Sequence, residues 1–140
     1  GIIFQDYKLI ATRTVYENIA LVLEAQGKKR SFVEKKVNSV LRVVGMEDRR
    51  TAYPPSLSGG EQQRVAVARA IAGDPKIILA DEPTGSLDDD SAAVIVGLLE
   101  LFHRRGATVV VATHDKSLIS STAGRVVQIR QGRLDSTADI

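Results

Sequence analysis

The sequence predicts an α/β fold, a partial parallel sheet with an inserted helical subdomain, and three observations carry that expectation. Two continuous apolar runs, Ile77-Ile78-Leu79-Ala80 and Val109-Val110-Val111-Ala112, have strand length, and a helical stretch from about Asp90 to Arg104 separates them in the rhythm of a parallel sheet. Polar residues appear at the C-terminal ends of both runs, Asp81-Glu82 and Thr113-His114, where open α/β sheets put ligands. Ahead of them lies a block with helical periodicity.

Gly1 to Gln5 reads as the end of a buried strand, with Ile2, Ile3 and Phe4 apolar and Gln5 emerging at its end. Thr14-x-x-Glu17 is a capping box, and Val15, Ile19, Val22 and Leu23 then share one helix face until Gly27 offers a left-handed stop. Ser31-x-x-Glu34 predicts a second box, followed by Val33, Val37, Val40, Leu41 and Val44 at helical spacing up to Gly45. These two helices form the small subdomain. Tyr53-Pro54-Pro55 breaks the pattern, and Ser58-x-x-Glu61 opens a third helix running to about Ala72, ended by Gly73-Asp74-Pro75. A strand over Lys76 to Ala80, the helix to Arg104, a strand over Ala107 to Ala112 and a short helix near Lys116 to Ser121 follow. Val126 to Arg130 and Arg133 to Ser136, around Gln131-Gly132, suggest a closing hairpin. The expected division is a strand end at 1–5, a helical subdomain at 6–75 and a sheet-building part at 76–140.

With 140 residues, 44% hydrophobic and 26% charged, the chain has the composition of one globular unit rather than of a disordered segment. It contains no cysteine, which excludes disulfides and thiolate metal sites and fits a reducing compartment. No apolar stretch is long enough to span a bilayer, and Gly1-Ile2-Ile3-Phe4 is too short for the core of a signal peptide. Net charge is +2, but residues 1 to 80 carry 13 Lys/Arg against 8 Asp/Glu and residues 81 to 140 carry 6 against 9. The basic excess gathers in Lys28, Lys29, Arg30, Lys35, Lys36, Arg42, Arg49 and Arg50. It reads first as a solvated helical face, because the aromatic interleaving that base stacking needs is lacking; nucleic acid or anionic lipid are the other readings.

Chemistry concentrates in two stretches. In Leu57-Ser58-Gly59-Gly60-Glu61-Gln62-Gln63-Arg64, Ser58 as N-cap and two glycines leave backbone N–H groups uncovered at the positive end of a helix dipole, which makes an anion site. A plain helix cap would look the same for Ser-Gly-Gly alone. In Ile77-Ile78-Leu79-Ala80-Asp81-Glu82-Pro83-Thr84, two carboxylates end an apolar strand, a place that tolerates them only facing a cleft or a counter-charge. His114, after its own apolar strand, reaches toward the same end as a hydrogen-bonding group. His103, in His-Arg-Arg-Gly, reads as surface capping of a helix end. No His/Cys metal cluster and no nucleophile triad suggests itself.

Together these stretches resemble the signature motif and Walker B strand of the ATP-binding cassette (ABC) ATPases, and Gln5, Asp88 and His114 fall where that family places its Q-loop, D-loop and switch histidine. No Gly-x-x-x-x-Gly-Lys-Ser/Thr occurs, since the only Gly-Lys pair, Gly27-Lys28, lacks the upstream glycine. The chain therefore resembles the C-terminal portion of such an ATPase, and uncovered apolar surface is expected where a P-loop lobe would pack. The resemblance implies a P-loop NTPase-like sheet, ATP and Mg²⁺ as ligands, and a head-to-tail homodimer joined through the signature motif and D-loop. It implies that Ser58, Gly59, Gly60 and Glu61 face the γ-phosphate held by the opposite subunit, and that Asp88 crosses the interface. Asp81 and Gln5 would serve the Mg²⁺ shell, Glu82 would polarise the attacking water, and His114 would clamp water and phosphate. Further implications are an integral membrane subunit as partner, a peripheral location on the cytoplasmic face of the bacterial membrane, and no nucleic-acid partner.

Within the family the likeness is closest to the cell-division ATPases, carried by Phe4-Gln5-Asp6-Tyr7-Lys8-Leu9-Ile10, Arg13-Thr14-Val15-Tyr16-Glu17-Asn18, Ala80 to Asp88 and Ala112 to Asp115. Lipoprotein-release and macrolide or peptide export ATPases share Asp-Glu-Pro-Thr-Gly-x-Leu-Asp and stay open as alternatives. A chromosome-maintenance ATPase would need long coiled coils, for which the sequence has no sustained heptads. Without a P-loop lysine, the segment by itself is expected to be inactive, and a non-catalytic dimerisation or interaction module is the reading from another class.

Overall fold

Three parallel strands and the helices packed on them organise the chain, and the computed structural model describes residues 1–121 and 124–139. Strand β1 (Ile2–Ile3) is followed by helices α1 (Val15–Ala25), α2 (Arg30–Val44) and α3 (Gly59–Ile71), with short 3₁₀ turns at Glu47–Arg49 and Pro54–Ser56. Strand β2 (Ile77–Asp81), helix α4 (Asp89–Arg104), strand β3 (Thr108–Ala112), helix α5 (Lys116–Ser121) and strands β4 (Arg125–Arg130) and β5 (Arg133–Asp139) complete the order. The sheet runs β1-β2-β3, all parallel, with Ile3 opposite Ala80 and Asp81 opposite Ala112. That register aligns the polar residues after all three strands along one edge. Strands β4 and β5 form a separate antiparallel hairpin with a shift between Gln128 and Ile129.

Local signals explain the helix starts. Thr14 accepts from the Glu17 N–H at 3.2 Å while its own N–H donates to Glu17 Oε2 at 2.7 Å, and Ser58 and Glu61 make the same reciprocal pair. The box expected at Ser31 does not form. Helix α2 begins at Arg30 with Lys29 as N-cap, and the Lys29 carbonyl already accepts from the Phe32 and Val33 N–H groups, so Ser31 lies inside the helix. Glu34 pairs with Arg50 instead. Gly27 and Gly45 sit just past α1 and α2 at φ of +71° and +65°, the left-handed conformation that glycine adopts without a Cβ clash.

The core lies among α1, α2 and α3, where Ile19, Leu23, Val37, Leu41, Val65 and Val67 are buried. Helix α3 is covered on several sides, by α1 and α2, by β1 and by α4, which explains its run Val65-Ala66-Val67-Ala68. The strand ahead of Gln5 is shorter and more open than the reading of Gly1 to Gln5 as a buried strand end: only Ile3 is buried. In β2, Ile78 and Ala80 face the core, but Ile77 is 55% and Leu79 45% exposed, and Val110 of β3 is 51% exposed. The apolar run of β2 is thus covered on one face and open on the other, whereas β3 holds no buried residue, Val109 alone being half-buried. Asn18, fully buried in α1, ties down the segment after Gln5: it accepts from the Ile10 N–H and donates to the carbonyls of Ile10, Arg13 and Thr14.

Candidate active site at the strand ends

Glu82 follows the last residue of β2 and carries the centre of the site. Its N–H extends the ladder to the Ala112 carbonyl at 2.8 Å, after which the chain leaves the sheet at φ +42°. A left-handed residue ahead of proline costs about 1–3 kcal/mol and persists only where its surroundings over-determine it. Here they do. One carboxylate oxygen accepts from the Thr113 hydroxyl at 3.0 Å, and the other accepts from the His114 N–H at 3.0 Å and meets His114 Nδ1 at 2.6 Å. A carboxylate offers about four acceptor positions, so these three bonds leave one open.

The same bonds set the charges. Burial pushes the Glu82 carboxyl up, but the bonds from the His114 ring, Thr113 and the His114 N–H outweigh it, and the group ends below the usual carboxylate range. His114 moves the other way, raised by its bond to Glu82 and by that carboxylate's charge, with a smaller contribution from Asp115. Because an ionised carboxylate only accepts, Nδ1 carries the hydrogen, and Nε2 of this largely exposed ring faces outward.

Gln5 lies beside this pair, with its amide nitrogen 3.4 Å from where a Cβ on Gly85 would stand. A Cβ at residue 85 would meet it at ordinary van der Waals contact. Asp81, the last residue of β2, is exposed, and its carboxylate makes no hydrogen bond or ion pair among the described residues. Asp88 is the N-cap of α4, accepting from the Ser91 N–H at 2.9 Å and the Ser91 hydroxyl at 2.8 Å, which lowers its carboxyl.

The N-terminus of α3 forms a second cluster. Ser58 is exposed, and the capping box uses the Ser58 and Glu61 N–H groups, leaving those of Gly59 and Gly60 without an acceptor among the described residues. The two glycines have a packing reason as well. A Cβ on Gly60 would stand 2.5 Å from Ser91 Oγ and 2.9 Å from its Cβ, and one on Gly59 would stand 2.9 Å from the Tyr7 hydroxyl. Close approach of α4 and of Tyr7 requires the missing side chains. Ser58 to Glu61 and Asp88 thus come together, as do Glu82 and His114, with Gln5 after the neighbouring strand and against Gly85, while no hydrogen bond joins Ser58 to Glu82 or His114 within the chain.

Four residues that sequence reasoning passed over hold these clusters in place. Thr113 fixes Glu82, and Gln63, 1% exposed, donates to the Pro83 carbonyl at 2.7 Å. Tyr7 shares a 3.1 Å hydrogen bond with Ser86. Arg69 donates to the carbonyls of Lys8 at 2.7 Å and Tyr7 at 2.9 Å, in a turn where both residues are left-handed, at φ +50° and +62°. Two such residues cost about 1–2 kcal/mol each, and hydrogen bonds to a charged group return about 1.5–3 kcal/mol each. The signal in the sequence was a charged residue within the apolar run of α3; its partners, some 60 positions earlier, were not legible.

The ABC transporter family profile matches residues 1–85, and the cell division ATP-binding protein FtsE of Streptococcus pneumoniae is 46% identical over 134 residues, covering 96% of this chain and 58% of that protein. The chain belongs to the ABC transporter ATPase family. FtsE of Escherichia coli is also 46% identical, over 96% of this chain and 60% of its own length. Methionine import ATP-binding protein MetN 2 of Pectobacterium atrosepticum is 43% identical, with 100% and 42% covered. An ATP-binding cassette solved as a dimer in a post-hydrolysis state bound to ADP and Pi superimposes with a TM-score of 0.87 at 35% identity, over 99% of this chain and 62% of that one. The chain therefore spans less than two thirds of the relatives it matches, and its mixed α/β architecture with a parallel sheet is that of the ABC cassettes.

The donor set of this cassette suits one kind of cation. Among the described residues no group of three His, Cys, Asp or Glu gathers to cage a metal, whereas the Asp81 carboxylate and the Gln5 amide offer hard oxygens after adjacent strands. Mg²⁺ fits such a set, since it takes one or two carboxylate ligands and completes its shell with water and phosphate oxygens.

Proposed function

We propose that the chain is the ATP-hydrolysing cassette of a bacterial ABC complex and that Glu82 orients and polarises the water attacking the γ-phosphate. The observation that carries this reading is the Glu82 carboxylate, held by Thr113 and by His114 at 2.6 Å, at a sheet edge shared with Gln5 and Asp81. An ionised Glu82 with one acceptor position open takes a hydrogen from water and turns its lone pair outward. When His114 is protonated, Nδ1 donates to Glu82 and Nε2–H is available for a phosphate oxygen. Asp81 and Gln5 would hold Mg²⁺, which supplies charge neutralisation across the phosphates. The Gly59 and Gly60 N–H groups and Ser58 would receive the γ-phosphate of a nucleotide carried by a second copy, with Asp88 beside that interface; the likeness to a cassette solved as a dimer supports a composite site.

The finer reading is the FtsE role: peripheral attachment to an integral membrane subunit of the FtsX type on the cytoplasmic face, coupling ATP turnover to cell-wall hydrolysis at the septum. The 46% likeness to FtsE proteins supports it, and the 43% likeness to MetN 2 keeps methionine import as a second reading. No helix among the described residues is long and apolar enough to cross a membrane, so a membrane subunit would supply that part. Pull-down of an FtsX-type subunit, against a methionine permease, separates the two.

In the full-length protein, Glu82→Gln should lower ATP turnover by about 10²–10⁴ and leave ATP binding intact. Unchanged turnover would remove Glu82 from the reaction. Residues 1–140 alone should show no turnover, because they contain no Gly-x-x-x-x-Gly-Lys to cradle the β- and γ-phosphates; steady hydrolysis abolished by Glu82→Gln would contradict that.

A further inference from the structure

Helix α3 reaches the turns that follow both β1 and β2, and it does so through side chains on its own length. Near its start, Gln63 donates to the Pro83 carbonyl, one residue past Glu82. Near its end, Arg69 donates to the Tyr7 and Lys8 carbonyls, two and three residues past Gln5. Between these points the Tyr7 hydroxyl stands against Gly59, at the mouth of α3, and bonds Ser86 in the loop leading to Asp88. We propose that Arg69 is a positioning residue, which clamps the Phe4–Lys8 turn onto α3 so that Gln5 and the mouth of α3 hold a fixed relation within one protomer. This rests on the ATPase reading above.

The physical case has three parts. The turn is intrinsically unfavourable, with consecutive left-handed residues and no glycine, so it needs an external partner to persist. Its own bonds, from the Tyr7 N–H to Phe4 and from the Lys8 N–H to Asp6, are local and leave the Tyr7 and Lys8 carbonyls pointing at α3. The planar guanidinium fork of Arg69 meets both at once from a half-buried position, and bonds from a charged fork are strong. An ammonium at residue 69 would lack the fixed fork that matches the two carbonyls. Tyr7 then transmits the placement: its backbone is held by Arg69 and its hydroxyl by Ser86, 79 residues later.

The test compares Arg69→Met, Arg69→Lys and Tyr7→Phe in the full-length protein, with Glu82→Gln as a control for the reaction itself. Arg69→Met should lower kcat at least tenfold with the Kd for ATP within threefold, and should speed amide exchange in residues 4–9 while the exchange of α1 and α2 stays unchanged. Arg69→Lys should recover part of kcat. Tyr7→Phe should lower kcat about threefold, and adding Ser86→Ala should lower it no further, since the two groups share one bond. Where Arg69→Met does not fold, the Tyr7 and Ser86 cycle decides. A kcat within twofold of wild type in both Arg69→Met and Tyr7→Phe, with Glu82→Gln inactive, would overturn the clamp and leave the ATPase reading standing. Exchange speeded uniformly over all helices would overturn it in favour of a general structural role. Should Glu82→Gln leave turnover unchanged, the ATPase reading falls, and the exchange of residues 4–9 alone decides whether Arg69 holds the turn.

Discussion

Replacing Gly60 by alanine tests why two glycines open α3, because the structure predicts an effect opposite in sign to the ordinary one. In an open helix, Gly→Ala stabilises by up to about 1 kcal/mol through backbone entropy. At residue 60 the added Cβ would stand 2.5 Å from Ser91 Oγ and 2.9 Å from Ser91 Cβ, well inside van der Waals contact. Relieving that overlap costs about 1–3 kcal/mol by the measure of overpacked cores, and the Ser91 side chain is not free to swing away, since its hydroxyl and N–H are held by the two oxygens of Asp88. The net expectation is a loss of about 1–2 kcal/mol, read as a lower denaturant midpoint at constant slope. Ser91→Gly removes both clashing atoms, so the double variant should be more stable than the sum of the single changes predicts, with a coupling of at least about 1 kcal/mol. A stabilised Gly60→Ala variant, or strict additivity with Ser91→Gly, would show that α4 does not crowd the mouth of α3.

Two further expectations follow from side chains around the site. His114 should titrate above an ordinary histidine, because Glu82 bonds its ring; in Glu82→Gln its NMR titration should fall back, and an unchanged midpoint would refute the pairing. The sign is set by both partners: the charge attraction is present between the two values, is lost as pH rises through the raised His114 value, and is lost at the acid end as pH falls through the lowered Glu82 value. Asn18→Ala should cost about 2–4 kcal/mol, because the Ile10 N–H and the Arg13 carbonyl lose their partner beside a new cavity; a change under about 1 kcal/mol by denaturation would mean that water replaces the amide.

What the sequence made legible was what is encoded within a few residues. The Thr14 and Ser58 boxes formed because each cap and its glutamate are three positions apart, and short apolar runs bounded by polar residues placed one strand end at Ala112 and the other at Ala80, one residue short of the observed Asp81. The same pattern misled at Ser31, where Lys29 already supplied the first helical carbonyl and turned the presumed cap into an interior residue. Apolar runs also could not say which strand face is covered, because that depends on helices far along the chain; Ile78 is buried and Ile77 is not. The functional side chains named from their motifs left out those that hold them. Arg69, Gln63 and Tyr7 act on partners 20 to 79 positions away, a separation at which no local periodicity records the pairing.

A nucleotide shared between the α3 mouth of one protomer and the Glu82 edge of its partner would let variants on the two sides complement each other. Full-length Ser58→Asp keeps a good N-cap but sets a negative charge where the phosphate would bind, and Glu82→Gln removes the water-orienting carboxylate from the other side. Each variant alone should be inactive. Mixed after dissociation, they should regain turnover, since a head-to-tail heterodimer contains one site with Ser58 and Glu82 both intact. Mixtures as inactive as the separate variants, with heterodimers shown to form, would place both residues in a site built by a single chain and contradict the account.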